Sequence, residues 1–193
     1  MWRCAGFGLA ALAAPVALAV QMTPMSLEEL VIRADVVLHG KVLSKTCQRD
    51  SAGRIYTEVD VEVAEAWKGP VAGKRFKIVL AGGTLGDRHV GVSGQADYQP
   101  GEEVVVFLRL NPRGEGVTLG LAQGKFQVRQ DSVTGRKYAY SPFFGQANRA
   151  ANRVATHGLE ANGLISLVDL KRRVQGAGTA APPYRGSEKG EKQ

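Results

Sequence analysis

Apolar and polar positions alternate with two different periods along this chain, and each change of period marks an element. Leu27, Leu30, Val31 and Ala34 recur at helical spacing, and Ser26 followed three residues later by Glu29 makes a capping box. A short helix ending near Asp35 is predicted. From Val36 the period drops to two, with Val36, Leu38, Gly40 and Val42 on one face and Val37, His39 and Lys41 on the other. Residues 50–53 supply a turn. The cleanest alternation follows: Thr57, Val59, Val61 and Val63 are apolar or β-branched, and Glu58, Asp60 and Glu62 lie between them. That strand should have one buried face and one wet face.

The alternation fails at residues 64–67, where a bulge would bend the strand as closure of a small barrel requires. Lys68, Gly69 and Pro70 turn the chain into a third strand, with Phe76, Ile78 and Leu80 inward and Arg75 and Lys77 facing water. Residues 81–101 read as a long glycine-rich connection. Residues 104–110 are apolar almost without interruption, the mark of a central strand covered on both faces. Shorter strand signals fall at 118–121, 126–129 and 137–140, and 141–160 fit a loop or a marginal helix equally. A final helix is capped by Ser166 with Asp169 three residues on. Leu167, Leu170 and Val174 form its apolar stripe, Lys171 to Arg173 sit at its negative end, and Gly176 is its predicted stop.

Several short strands, one bulge and two helices predict a mainly β fold: a five- to six-stranded barrel of oligonucleotide/oligosaccharide-binding (OB) type with a short N-terminal and a C-terminal helix.

The ends of the chain have a different composition. Arg3 precedes an apolar run from Ala5 to Val20 that closes on Ala17, Leu18 and Ala19, the small-residue pattern of a cleavable secretory signal. Residues 1–19 are therefore expected to be removed and the protein to be secreted or periplasmic. The run is short, rich in Ala and holds Pro15, so it falls below the roughly 20 apolar residues of a stable membrane span. Cys4 lies before the run, which excludes a lipoprotein cysteine. Residues 20–175 make one domain, and 176–193, built of Gly, Ala, Pro, Lys and Glu, are expected to be disordered. Loss of Arg3 lowers the net charge of +7 by one and leaves Cys47 as the only thiol, so no internal disulfide can form.

The charge is uneven. Lys125, Arg129, Arg136, Lys137, Arg149 and Arg153 face Asp131 alone and are interleaved with Phe126, Tyr138, Tyr140, Phe143 and Phe144. Cations beside aromatics suit single-stranded nucleic acid, anionic glycans or lipid head groups, and equally a merely solvated face. Nothing further favours nucleic acid.

Several segments in order resemble a known family: Ala34 to Val37 through Gly40, Lys41 and Val42; Val63 to Trp67 with Lys68 and Gly69; Gly82 and Gly83; and Pro100, Gly101 and Glu102 through Phe107 and Leu108. Over about residues 26–130 the chain resembles a family of uncharacterised secreted bacterial proteins. More distantly it is similar to the netrin-type module of the tissue inhibitors of metalloproteinases, which implies an OB fold. Those inhibitors chelate a protease zinc through a mature N-terminal cysteine. The expected N-terminus here is Val20 with no cysteine nearby, so that chelation is not implied.

Candidate chemistry is sparse. His39, His89 and His157 lack the spacing of a metal site, and His39 is expected to be exposed. Asp87, His89 and Ser93 hold the ingredients of a hydrolytic triad, but Gln95 replaces the second glycine of a nucleophile elbow. Glu58, Asp60 and Glu62 form an acidic ladder on one strand face, and Gly82, Gly83 and Gly86 lack the lysine and helix of a phosphate loop. Lys45 and Arg49 flank Cys47 in the chain. Trp67 and Phe107 serve the core or the barrel ends.

No catalytic residue, metal or cofactor is assigned. The leading expectation is a non-enzymatic domain that binds a protein or glycan at the cell envelope, through the 82–98 loop, the barrel mouth and the basic aromatic segment. The residues singled out for that surface are Trp67, Asp87, His89, Lys125, Arg129, Tyr138 and Tyr140. The rival expectations are an inhibitor-like module that blocks a protease cleft by shape, and a hydrolase using His89, Asp87 and Ser93.

Overall fold

A computed structural model describes residues 23–146 and 162–177. The expected signal at 1–19, most of the 141–160 segment with Arg149, Arg153 and His157, and nearly all of the 176–193 tail lie outside the described residues.

Ser26 caps α1 (Leu27–Arg33) in both directions: its hydroxyl accepts from the Glu29 amide, and the Glu29 carboxylate accepts from the Ser26 amide at 2.8 Å. Two long strands follow, β1 (Val36–Arg49) and β2 (Ile55–Lys68), antiparallel and joined by a turn in which Asp50 accepts from the Ala52 and Arg54 amides. Next come β3 (Arg75–Ala81), the small hairpin β4 (Gly83–Leu85) and β5 (Arg88–Val90), then β6 (Glu103–Leu110), β7 (Gly116–Thr118), β8 (Lys125–Gln130), β9 (Lys137–Tyr140) and β10 (Leu164–Ser166), and finally α2 (Leu167–Ala177).

The strand order β1-β2-β3-β7-β6 closes on itself because β6 also pairs with β1. The result is a closed five-stranded barrel in which β3 and β7 run parallel, an OB-like arrangement. Closure needs sharp bending, and the β1–β2 ladder supplies it through three register shifts, two of which pass over Ala64 and Trp67 on β2. The predicted bulge is therefore real and double. Gly40 sits at a close approach of β1 to β2, where a Cβ would lie 2.3 Å from the Glu62 carbonyl oxygen.

Two cores result. Val36, Leu38, Val59, Val61, Phe76, Ile78, Val104, Val106 and Leu108 fill the barrel. The other faces of β1 and β6 contribute Val37, Val105 and Phe107 to an outer core completed by Leu27, Leu30 and Val31 of α1, Leu170 and Val174 of α2, and Trp67, Phe126, Val128, Ala139, Phe144 and Ile165. Strands β8, β9 and β10 extend from β6 as a wing whose inner side carries Phe126, Val128, Ala139 and Ile165 into that outer core. Burial on both faces explains the unbroken apolar run of β6.

Four local expectations are corrected. The 81–101 connection contains the β4–β5 hairpin, and its later part is not an open rim: Ala96 and Tyr98 are buried with the barrel residues. The strand signal at 118–121 belongs to β7, which ends at Thr118, because residues 119–124 turn. β10 is too short to leave a pattern. Gly176 does not stop α2, which continues to Ala177.

Candidate functional site

The alternation of β8 and β9 sorts the predicted aromatic and basic residues onto two sides of the wing. Phe126, Val128 and Ala139 point into the outer core, which leaves Lys125, Gln127, Arg129, Tyr138 and Tyr140 on the opposite face. Register pairs Arg129 with Tyr138 and Gln127 with Tyr140. The Arg129 guanidinium lies 4.8 Å from the centre of the Tyr140 ring. Its Nε and Nη2 both donate to Gln127 Oε1, at 3.1 and 2.8 Å. Stacking and hydrogen bonding together hold an exposed arginine in one orientation, so less rotamer entropy is lost when it meets a partner. Among the described residues no carboxylate pairs with it. A shallow groove of about 200 Å³ continues the face past Gln127 and Tyr140 to Pro142 and Phe143.

Lys125 belongs to the same face, but its ammonium is already used. It donates to Glu102 at 2.7 Å and to the Asp97 carbonyl, and lies 4.9 Å from the Tyr98 ring centre. The pair is largely buried, with side-chain exposures of 15% and 8%. Tyr98 closes the barrel mouth, its hydroxyl 2.7 Å from Thr118 Oγ1 and pushed up in pKa by burial. Lys45 binds Asp97 at 2.6 Å; burial, the largest single influence, would raise that carboxyl, but the hydrogen bonds from Lys45 and Gln99 and the charges of Lys45 and Lys125 together outweigh it and the pKa falls. Lys125 and Lys45 thus fasten the plug at the mouth.

The remaining predicted residues lie elsewhere. Trp67 is buried in the outer core with Nε1 donating to Glu65 at 3.0 Å. Asp87 and His89 are exposed on the β4–β5 hairpin, and His89 Nδ1 lies 2.9 Å from Thr84 Oγ1, its cross-strand neighbour. No hydrogen bond joins His89 to Asp87 or Ser93 among the described residues. Glu58 of the acidic ladder is bound by Lys77 at 3.0 Å and by Gln48, and Asp60 accepts from Ser44, so the ladder is divided among local partners. Cys47 is half-buried against Gly83, where a Cβ would come within 2.6 Å of its sulfur.

His39 corrects the expectation of an exposed side chain, for it is only 14% exposed. Its Nε2 lies 2.7 Å from Glu103 Oε1, the carboxylate that also receives two hydrogen bonds from Lys137, and its ring lies beside that of Trp67, tilted by 36° with centroids 5.9 Å apart. Lys171 of α2 binds Glu65 in the same way. Burial would raise the Glu103 pKa, yet Lys137 and His39 more than offset it. The Lys171 and Trp67 hydrogen bonds lower that of Glu65. The two carboxylates clamp wing and helix to the barrel, and a groove of about 490 Å³ lined by His39, Lys41, Glu62, Lys74 and Glu103 opens beside them.

A further groove of about 340 Å³ escaped the sequence reading. It lies on the outer face of β2, β3 and β7, between the β1–β2 and β6–β7 turns, with Tyr56, Val79, Ala81 and Val117 as floor and Arg54 and Arg113 at its rim. Each arginine faces an acidic neighbour through Nε, Asp50 at 2.7 Å and Glu115 at 3.6 Å. No single segment carries this site; only β-pairing assembles it.

Among the described residues no helix is long and apolar enough to cross a membrane. Compared with protein-family models and with curated proteins, the chain matches none.

Proposed function

We propose that this chain is a secreted or periplasmic, non-enzymatic binding domain that engages a protein or glycan at the cell envelope through the outer face of its wing. The observation that carries the reading is the oriented Arg129 stacked on Tyr140, beside Tyr138 and Gln127, on a sheet whose other side is anchored in the outer core. Tyrosine and arginine are among the residue types that most often concentrate binding energy, and a rigid support lowers the ordering cost of using them. Export is supported by the composition of residues 1–19.

The groove of Tyr56, Val79 and Val117 supports a rival reading of where the contact lies, since OB-type barrels use the face of their second and third strands together with the flanking loops. The test is retention of the purified chain on sedimented envelope material. Arg129→Ala should release it and Arg54→Ala should not. Equal retention of Arg129→Ala and the unaltered chain would overturn the wing as the contact.

A further inference from the structure

We infer that the wing face recognises a carboxylated sugar, a uronic acid unit within an oligosaccharide, with Arg129 on the carboxylate and the Tyr138 and Tyr140 rings against the sugar. The inference rests on the wing being the binding face and adds the ligand's chemistry.

The Nε–Nη2 edge of a guanidinium is a planar fork that matches the two oxygens of a carboxylate. In this structure both nitrogens converge on one neutral oxygen, Gln127 Oε1, at 3.1 and 2.8 Å. A carboxylate offers the fork two oxygens and a full negative charge, and such charge-assisted hydrogen bonds are roughly twice as strong as neutral ones. The displaced Gln127 amide stays beside the site with a donor and an acceptor free for sugar hydroxyls. No protein carboxylate among the described residues competes for Arg129. Asp131, the nearest acid along β8, is spent on its own turn: the Thr134 and Val133 amides donate to it and lower its pKa. Arg136 adds an exposed positive charge at the same end of the wing.

The aromatic part of the site fits the rest of such a ligand. Tyr140 is held under Arg129, and Tyr138 is Arg129's direct cross-strand neighbour, so ring surface lies beside the fork. A pyranose ring presents a flat C–H face to an aromatic ring and polar edges to its surroundings. Beyond Tyr140 the groove runs on past Gln127 to Pro142 and Phe143, with room for a neighbouring sugar unit; Asp97 and Glu102 also line it, their carboxylates paired with Lys45 and Lys125. An acidic peptide would satisfy the fork but has no rigid ring for the tyrosines. A neutral glycan would use the rings and leave the fork on Gln127.

The experiment titrates the full chain with trigalacturonate, maltotriose and triglutamate by calorimetry, at low and high salt. Trigalacturonate should bind, more weakly as salt rises, and maltotriose and triglutamate should bind at least ~10-fold more weakly. Arg129→Gln should lose about 10- to 100-fold in affinity, as expected for a lost charge-assisted fork. Arg129→Lys, which keeps the charge but not the fork, should fall between, and Tyr140→Leu should weaken binding with its melting temperature unchanged. Equal binding of maltotriose, equal binding of triglutamate, unaltered affinity of Arg129→Gln, or no binding of trigalacturonate would each overturn the assignment. If Arg129→Ala abolishes envelope retention while trigalacturonate fails to bind, the ligand assignment falls and the wing remains the contact.

Discussion

Lys68 at the end of β2 places its ammonium 2.7 Å from the carbonyl oxygen of Ala34, just past the end of α1, and 2.5 Å from that of Val31. A helix leaves its last carbonyls without partners and carries partial negative charge there, so a lysine from a distant strand both satisfies and neutralises the end. The neighbouring turn is equally tight: a Cβ on Gly69 would meet the Asp35 carbonyl oxygen at 2.0 Å, and Asp35 itself binds the Leu110 amide and the Arg109 side chain. The segments 34–37 and 67–69, far apart in the chain, are thus two sides of one junction. Lys68→Met, which keeps the stem, should destabilise the protein by about 1–2 kcal/mol. Urea unfolding should show a lower midpoint with unchanged slope.

Gly40→Ala tests the bend that closes the barrel. The new methyl would meet the Glu62 carbonyl oxygen at 2.3 Å and a Val61 methyl at 2.8 Å, neither of which can move without shifting β2. A loss of about 2 kcal/mol or more is expected, read as a lowered thermal midpoint. An unchanged midpoint would mean that β1 and β2 are not so closely apposed.

Much of this architecture could be read from residues alone, wherever one face is wet. Thr57, Val59 and Val61 alternate with Glu58, Asp60 and Glu62, and the Ser26–Glu29 box announces α1. Where both faces are buried the period vanishes. Val36 and Val37 fall on opposite faces in the sequence, but only the wrapping of α1 and α2 over the barrel shows that each face is a core of its own. The β4–β5 hairpin was invisible because its strands are exposed or only half-buried. At the candidate site, charge counting found Lys125 and Arg129 together. It had no means of showing that Glu102 occupies one and leaves the other available.

Tyr98 tests the plug. Tyr98→Phe removes the partner of the buried Thr118 hydroxyl and should cost about 1–3 kcal/mol. Tyr98→Ala also empties the mouth and should cost about 3–5 kcal/mol. Calorimetric unfolding of the pair checks both the order and the gap, and equal effects would contradict the hydrogen bond.

Acid should loosen the wing and α2. Glu103 and Glu65 have folded-state pKa values below their ordinary ones, so their contribution to stability is complete above the usual carboxylate range. It is lost as pH falls through about 4.3 toward the lower folded values. Stability measured against pH should therefore be flat near neutrality and decline in acid, and the Glu103→Gln, Glu65→Gln double variant should decline less steeply. Identical acid slopes would remove the two clamps from the account.

The wing itself is tested most directly by amide chemical-shift mapping of the full chain during titration with solubilised envelope material. The account predicts that the perturbed amides cluster at Gln127, Arg129, Tyr138 and Tyr140, and that Arg129→Ala abolishes the changes. Perturbations centred instead on Tyr56, Val79 and Val117, or surviving in Arg129→Ala, would contradict it.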